Sequence, residues 1–159
     1  MAMLRLWLII NLMTVSNLVL AQEVSPFVKG SFAEIQQQYE GRPYLVLFWG
    51  QDCAYCMKEL AGLAPILKEN PGVTLVTVAT DPFLDETFIR EKMAGFGLPQ
   101  ANNWVFANDY PETLYFDVEK RWRGELPLTF LSNGKTLIRK SGLLKEADIS
   151  AWLASIKQN

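Results

Sequence analysis

The chain has 159 residues, half of them hydrophobic and one in five charged, with a net charge of −2 at neutral pH. This balance excludes a disordered chain and gives one compact domain. With acids and bases interspersed, it argues against nucleic acid or an anionic membrane surface as a partner. There is no histidine, which removes the commonest general base and the commonest metal ligand together.

Residues 1–21 hold one charge, Arg5, then an apolar run from Leu6 to Met13 and a small residue, Ala21, before Gln22-Glu23. That pattern reads as a secretory signal cut after Ala21, with an uncleaved anchor as the alternative. Either places the domain outside the cytoplasm. Residues 22–30 read as a linker or an irregular lead-in, and 31–159 as the domain. Losing Arg5 leaves 14 bases against 17 acids, a net charge of −3.

Ser31-Phe-Ala-Glu34 has the pattern of a capping box and predicts a helix from Phe32 to Tyr39. Tyr44 to Trp49 is continuously apolar, as in a strand buried on both faces. A helix follows from about Cys53, with Leu60, Leu63, Ala64 and Leu67 on one face and Pro65 placed to kink it. Val73 to Ala79 reads as a second buried strand, and Asp85 as the cap of a helix from Glu86 to about Phe96. Trp104 to Phe106 reads as a short strand and Tyr110 to Asp117 as one or two helical turns. Leu128–Leu131 and Thr136–Arg139 form a hairpin about Asn133-Gly134, and Glu146–Ile156 is a last helix. Phe83, Phe88, Trp104, Phe106 and Trp152 read as core, and Trp122 and Arg123 as an exposed loop. Strands separated by helices imply parallel pairing, to which the hairpin adds antiparallel strands.

The chain's only cysteines, Cys53 and Cys56, sit where the first apolar strand ends and the next helix begins. A disulfide across two residues constrains the unfolded chain little, so a purely structural role is weakly motivated. The helix N-terminus offers unpaired N–H groups and the positive end of a dipole, which favour a thiolate at Cys53. Cys56, one turn further in, is expected to be more buried. This divides the labour: Cys53 attacks a disulfide and Cys56 resolves the mixed disulfide. The spacing does not set the direction of electron flow. Two thiolates without histidine are half of a tetrahedral metal site, which leaves a Cu(I)-binding or delivery module as an alternative of a different class.

The segment Phe48-Trp-Gly-Gln-Asp-Cys-Ala-Tyr-Cys56 resembles the active-site stretch of the thioredoxin superfamily, closest to the exported TlpA/ResA/CcmG-like thiol–disulfide oxidoreductases of bacteria. A second motif, Gly124-Glu-Leu-Pro-Leu-Thr-Phe130, resembles the family's segment where a cis-proline precedes a strand. Asn133-Gly134 and Gly142 then match its hairpin turn and the glycine before its last helix. The resemblance spans about Ser31 to Ile156. It implies an α/β thioredoxin fold with a central mixed sheet flanked by helices on both faces. It also implies a cis Pro127 beside the dithiol, with the Leu126 backbone placed to pair with a substrate segment. Trp49, close to the dithiol, either shapes the docking surface or fills the core, and Tyr55 is a further candidate for the substrate surface. The implied activity is disulfide reduction on exported protein substrates in the periplasm, some relatives serving cytochrome c maturation. The protein would be soluble or tethered by its N-terminal segment. It would be recharged by a membrane electron donor, with no cofactor beyond the Cys53–Cys56 pair and no metal. An oxidase or isomerase would use the same residues.

Three departures bear on the chemistry. Asp52 stands where relatives often have tryptophan and opposes ionisation of Cys53. Tyr55 stands where many have proline. Leu47 occupies the position of the buried acid of cytosolic thioredoxins, so a proton acceptor for Cys56 has to come from elsewhere, with Glu59 and Asp52 as candidates. Charged residues usually lie at the surface, and that reading applies to both.

Overall fold

The computed structural model describes residues 23–158; the leader, residues 1–21, and Gln22 lie outside them. Among the described residues no helix is long and apolar enough to cross a membrane. The elements run β1 (Ser25–Phe27), α1 (Ser31–Gln38), β2 (Pro43–Trp49), α2 (Ala54–Glu69), β3 (Thr74–Ala79), α3 (Glu86–Gly95), β4 (Asn102–Phe106), α4 (Pro111–Val118), β5 (Leu128–Asn133), β6 (Leu137–Ser141) and α5 (Glu146–Lys157).

The sheet has the order β1-β4-β3-β2-β5-β6. The strands β1, β4, β3 and β2 are mutually parallel, whereas β5 runs antiparallel to both β2 and β6. Side chains of β2 alternate between two apolar layers, as a strand's period of two requires. Leu45, Leu47 and Trp49 pack with Cys56, Leu60 and Leu63 of α2, Ile89 and Met93 of α3, and Trp152 of α5. Tyr44, Val46 and Phe48 pack on the other face with Phe32 and Ile35 of α1 and Leu114 and Val118 of α4. The continuously apolar β2 therefore follows from its central place: it is covered on both sides. Phe48 makes edge-on contacts with Phe27, Trp122 and Phe130 at centroid distances of 5.7, 5.0 and 6.2 Å, the geometry aromatic quadrupoles favour.

Four expectations change. The lead-in contains β1, three residues including Pro26, paired at the sheet edge with β4; an edge strand accommodates a proline because one side of its ladder is unused. Ser31 does not cap α1. Gly30 is the N-cap, at φ 92°, and the Ser31 hydroxyl turns back to accept the Val28 N–H at 2.9 Å. Phe83 is 62% exposed rather than core. Trp122 is buried rather than exposed; its indole N–H donates to the Glu125 carbonyl at 2.9 Å and its ring lies 4.7 Å from that of Tyr115. The Asp85 cap forms as read, accepting the Phe88 N–H at 2.8 Å, and α2 runs through Pro65 to Glu69.

Tyr115 also fixes Gly124. That residue has φ 91°, and a Cβ there would lie 2.7 Å from the tyrosine ring. Gly124→Ala therefore combines a left-handed backbone with a ring clash and should cost about 1–3 kcal/mol. Denaturant titration checks this; wild-type stability would contradict it.

Candidate active site

The loops that leave β2, β3 and β4 emerge at the same end of the sheet, because these strands are parallel. They are stitched together there. Thr80 N–H donates to the Trp49 carbonyl at 2.8 Å. Gln51 N–H donates to the Asp81 carboxylate at 2.8 Å. Gly50 fills the space between them: a Cβ on it would lie 3.2 Å from Leu126 Cδ1 and 3.5 Å from Asp81 Oδ2. The chain before the dithiol passes between Leu126 and Asp81, and a larger residue there would require the Leu126 side chain to give way.

Cys53 is the N-cap of α2, with extended backbone (φ −86°, ψ 97°), and its sulfur accepts the Cys56 N–H at 3.1 Å. A helix N-terminus leaves such N–H groups without intrahelical partners, and here one is aimed at sulfur. Cys53 and Cys56 are joined as a disulfide, with Cα atoms 5.2 Å apart. Cys53 is half-buried and Cys56 is wholly buried. The Leu126–Pro127 peptide bond is cis, and Leu126 Cδ1 reaches the Gly50 side of the dithiol loop. The Pro127 carbonyl accepts the Gly142 N–H at 2.8 Å.

The candidate proton acceptors separate. Asp52 is exposed. Glu59 is 6% exposed, and its carboxylate accepts the Leu144 N–H at 3.0 Å, from the turn between β6 and α5. Burial pushes the Glu59 carboxyl above its ordinary value, and the Leu144 N–H partly offsets this. The surface position usual for acids does not hold for Glu59. It lies one turn beyond Cys56 on the same buried stripe of α2. Trp49 is wholly buried beside Cys56 in the α2 layer and is part of the core, not of a substrate-facing surface. Tyr55, 65% exposed, is at the surface next to the dithiol.

Two contributors carried no strong sequence signal. Asp81 clamps the dithiol loop through Gln51 from thirty residues away. Trp122 anchors the segment ahead of Pro127 through Glu125. Among the described residues, the buried side-chain atoms without a hydrogen-bond partner are Trp49 Nε1 and Thr129 Oγ1. Thr129 stands opposite Leu47 in the β2–β5 register. A groove of about 880 Å³ lined by Ala64, Leu67, Leu75, Leu98 and Ala101 sits at the other end of β3 and β4, away from the dithiol.

No protein-family model matches the chain, and no curated protein matches it in sequence. Solved structures do. A secreted disulfide oxidoreductase of Mycobacterium tuberculosis homologous to Escherichia coli DsbE aligns with a TM-score of 0.56 and 19% identity, covering 75% of this chain and 85% of that one. A putative thioredoxin from Neisseria meningitidis aligns with a TM-score of 0.56 and 18% identity, over 77% and 79% of the two chains. A thioredoxin-family thiol:disulfide interchange protein from Chlorobium tepidum aligns with a TM-score of 0.56 and 16% identity, over 77% and 83%. The chain has the thioredoxin fold. In that fold the residues the sequence brought forward, Cys53, Cys56, Tyr55 and Leu126-Pro127, converge at the carboxyl end of the parallel strands, with Glu59 buried behind them.

Proposed function

We propose that this protein is an exported thiol–disulfide oxidoreductase that reduces disulfides in protein substrates. The observation that carries the reading is the asymmetry of the pair: a reachable Cys53 at a helix N-terminus backed by a buried Cys56. The Cys53 thiolate attacks one sulfur of a partner disulfide; the partner's other sulfur leaves as a thiolate and takes up a proton. Cys56 then loses its proton and attacks the Cys53 sulfur, and the partner's remaining sulfur leaves. The partner gains two electrons and two protons, and the enzyme ends as the Cys53–Cys56 disulfide.

Glu59 is the residue we assign to accept the Cys56 proton. An ordinary carboxylate is a weak base toward a thiol, and burial narrows that gap by raising the carboxyl. Leu126 and cis Pro127 are assigned to receive an extended substrate segment, with Tyr55 at its edge. Reduction is favoured over oxidation because the chain resembles exported reductants; Asp52 beside Cys53 and Asp81 at the loop act in the same direction, against the helix N-terminus. They disfavour the thiolate, and destabilising the reduced form makes a dithiol a better reductant. The M. tuberculosis protein of the same fold is a secreted disulfide oxidoreductase, in keeping with the export read from residues 1–21. In an oxidising compartment the protein would need a membrane electron donor to be recharged.

The test mixes dithiol-reduced protein with excess 2-hydroxyethyl disulfide and with insulin. Loss of both protein thiols together with matching release of substrate thiols supports the reading. An inert pair contradicts it.

A further inference from the structure

Three large aromatic side chains stand out in solvent at the dithiol end of the sheet. They are Tyr55, Phe83 and Tyr110, at 65, 62 and 71% exposure. Single exposed aromatics are ordinary, but these follow β2, β3 and β4 at one end of the sheet: Tyr55 in the first turn of α2, Phe83 in the loop after β3 and Tyr110 in the loop after β4. Phe83 is held in place. It has φ 56°, a conformation that costs a bulky residue free energy. Its N–H donates to the Phe106 carbonyl at 2.9 Å, at the end of β4. The fold thus maintains an unfavourable backbone and an exposed ring at the same position. Such outliers gather at ligand clamps.

The charge of these loops is one-sided. Segments 51–55, 81–86 and 107–112 carry six carboxylates and no lysine or arginine. Arg90 of α3 pairs with Glu86 at 3.4 Å, leaving the group net acidic. The negative field is felt nearby: Tyr115 is held protonated above its ordinary range first by burial, then by Glu112 and Asp81. The segment on the other side of the site, before Pro127, instead holds Lys120, Arg121 and Arg123 with Glu119 and Glu125. The acidic, aromatic character therefore belongs to the segments that follow β2, β3 and β4, and not to the segment before Pro127.

Resting on the exchange reading above, we infer that this rim is a docking surface for a basic segment of the protein substrate. The substrate cysteine lies at Cys53, and its flanking lysine or arginine and apolar residues lie toward Phe83 and Tyr110. Carboxylates attract the cation over distance, and an aromatic face binds it on contact. A lysine can satisfy both because the two groups alternate along the same loops.

The experiment compares two peptides, each with one cysteine capped as a disulfide by 2-mercaptoethanol. One peptide flanks the cysteine with lysine and phenylalanine, and the other has glutamate in place of lysine. Reduced full-length protein donates two electrons, forming the Cys53–Cys56 disulfide and releasing the peptide thiol and 2-mercaptoethanol. At low ionic strength the lysine peptide should react about tenfold faster, and the ratio should shrink in about 0.5 M salt. Asp109→Asn with Glu112→Gln should bring the ratio toward unity, and Phe83→Ser should slow the lysine peptide severalfold. Equal rates, faster reaction of the glutamate peptide, or a ratio unmoved by these variants overturns the proposal. Inertness toward 2-hydroxyethyl disulfide as well overturns the exchange reading and this one with it. Reduction of that small disulfide without discrimination between the peptides overturns this one alone.

Discussion

Replacing Cys56 with serine should leave the attack by Cys53 intact and abolish release. Covalent adducts should therefore accumulate as mixed disulfides, while steady-state turnover falls by about a thousandfold or more. The asymmetry follows from burial and position. The Cys53 sulfur is at the mouth of α2, where the Cys56 N–H points at it; Cys56 is enclosed by the α2 layer and out of a partner's reach. Serine conserves the shape and removes the second nucleophile. Non-reducing electrophoresis of cell extracts should show adducts that vanish with dithiothreitol, and mass spectrometry should place them on Cys53. Cys53→Ser should trap nothing. Adducts through Cys56 in that variant, or none in Cys56→Ser, would contradict the assignment. The trapped partners would also show whether their reacting cysteines are flanked by basic residues.

Glu59→Gln should slow resolution by about a hundredfold near neutral pH, within the usual range for a positioned proton acceptor. Glutamine retains an oxygen for the Leu144 N–H, which Glu59 now accepts at 3.0 Å, so the turn before α5 need not move. The change also has a stability signature with the opposite sign. Burial raises the Glu59 carboxyl above its unfolded value of 4.5, so folding favours the protonated form. Its contribution is full below that value and is lost as the pH rises through the folded value. Glutamine has no such loss. The variant should equal the wild type in stability near pH 4 and exceed it at pH 7, with a higher Tm there. Its rate of mixed-disulfide resolution should lose the pH dependence that ionisation of Glu59 imposes. Rates and melting profiles that match the wild type at every pH would remove Glu59 from the mechanism.

Much of this site can be read from residue order. The apolar run into Trp49, the dithiol at the next helix and the Asp85 cap depend on neighbours in sequence, and the structure places each of these elements as read. What escaped depends on tertiary contacts. Trp122 sits among Lys120, Arg121 and Arg123, a local composition that reads as surface, but its ring packs on Phe48 and Tyr115. Phe83 is an aromatic by type, yet after Asp81-Pro82 it takes a positive φ and stands in solvent, neither of which the residue type announces. Glu59, named as a candidate from its place after Cys56, is buried because that spacing puts it on the helix stripe that also carries Leu60 and Leu63. Asp81 had no such signal, because its partner, the Gln51 N–H, is a backbone group on another loop.

The proposed function requires that the Cys53–Cys56 pair be a reversible dithiol poised to reduce. Its reduction potential tests that most directly, measured by equilibrating the protein in graded glutathione or dithiothreitol buffers and quantifying the oxidised fraction. The carboxylates about Cys53 and the buried Glu59 predict a value near that of thioredoxin, about −270 mV, and in any case below about −220 mV. A value near −120 mV, that of a strong oxidant such as DsbA, would reverse the direction proposed here. A pair that does not equilibrate with either buffer would contradict the exchange chemistry itself.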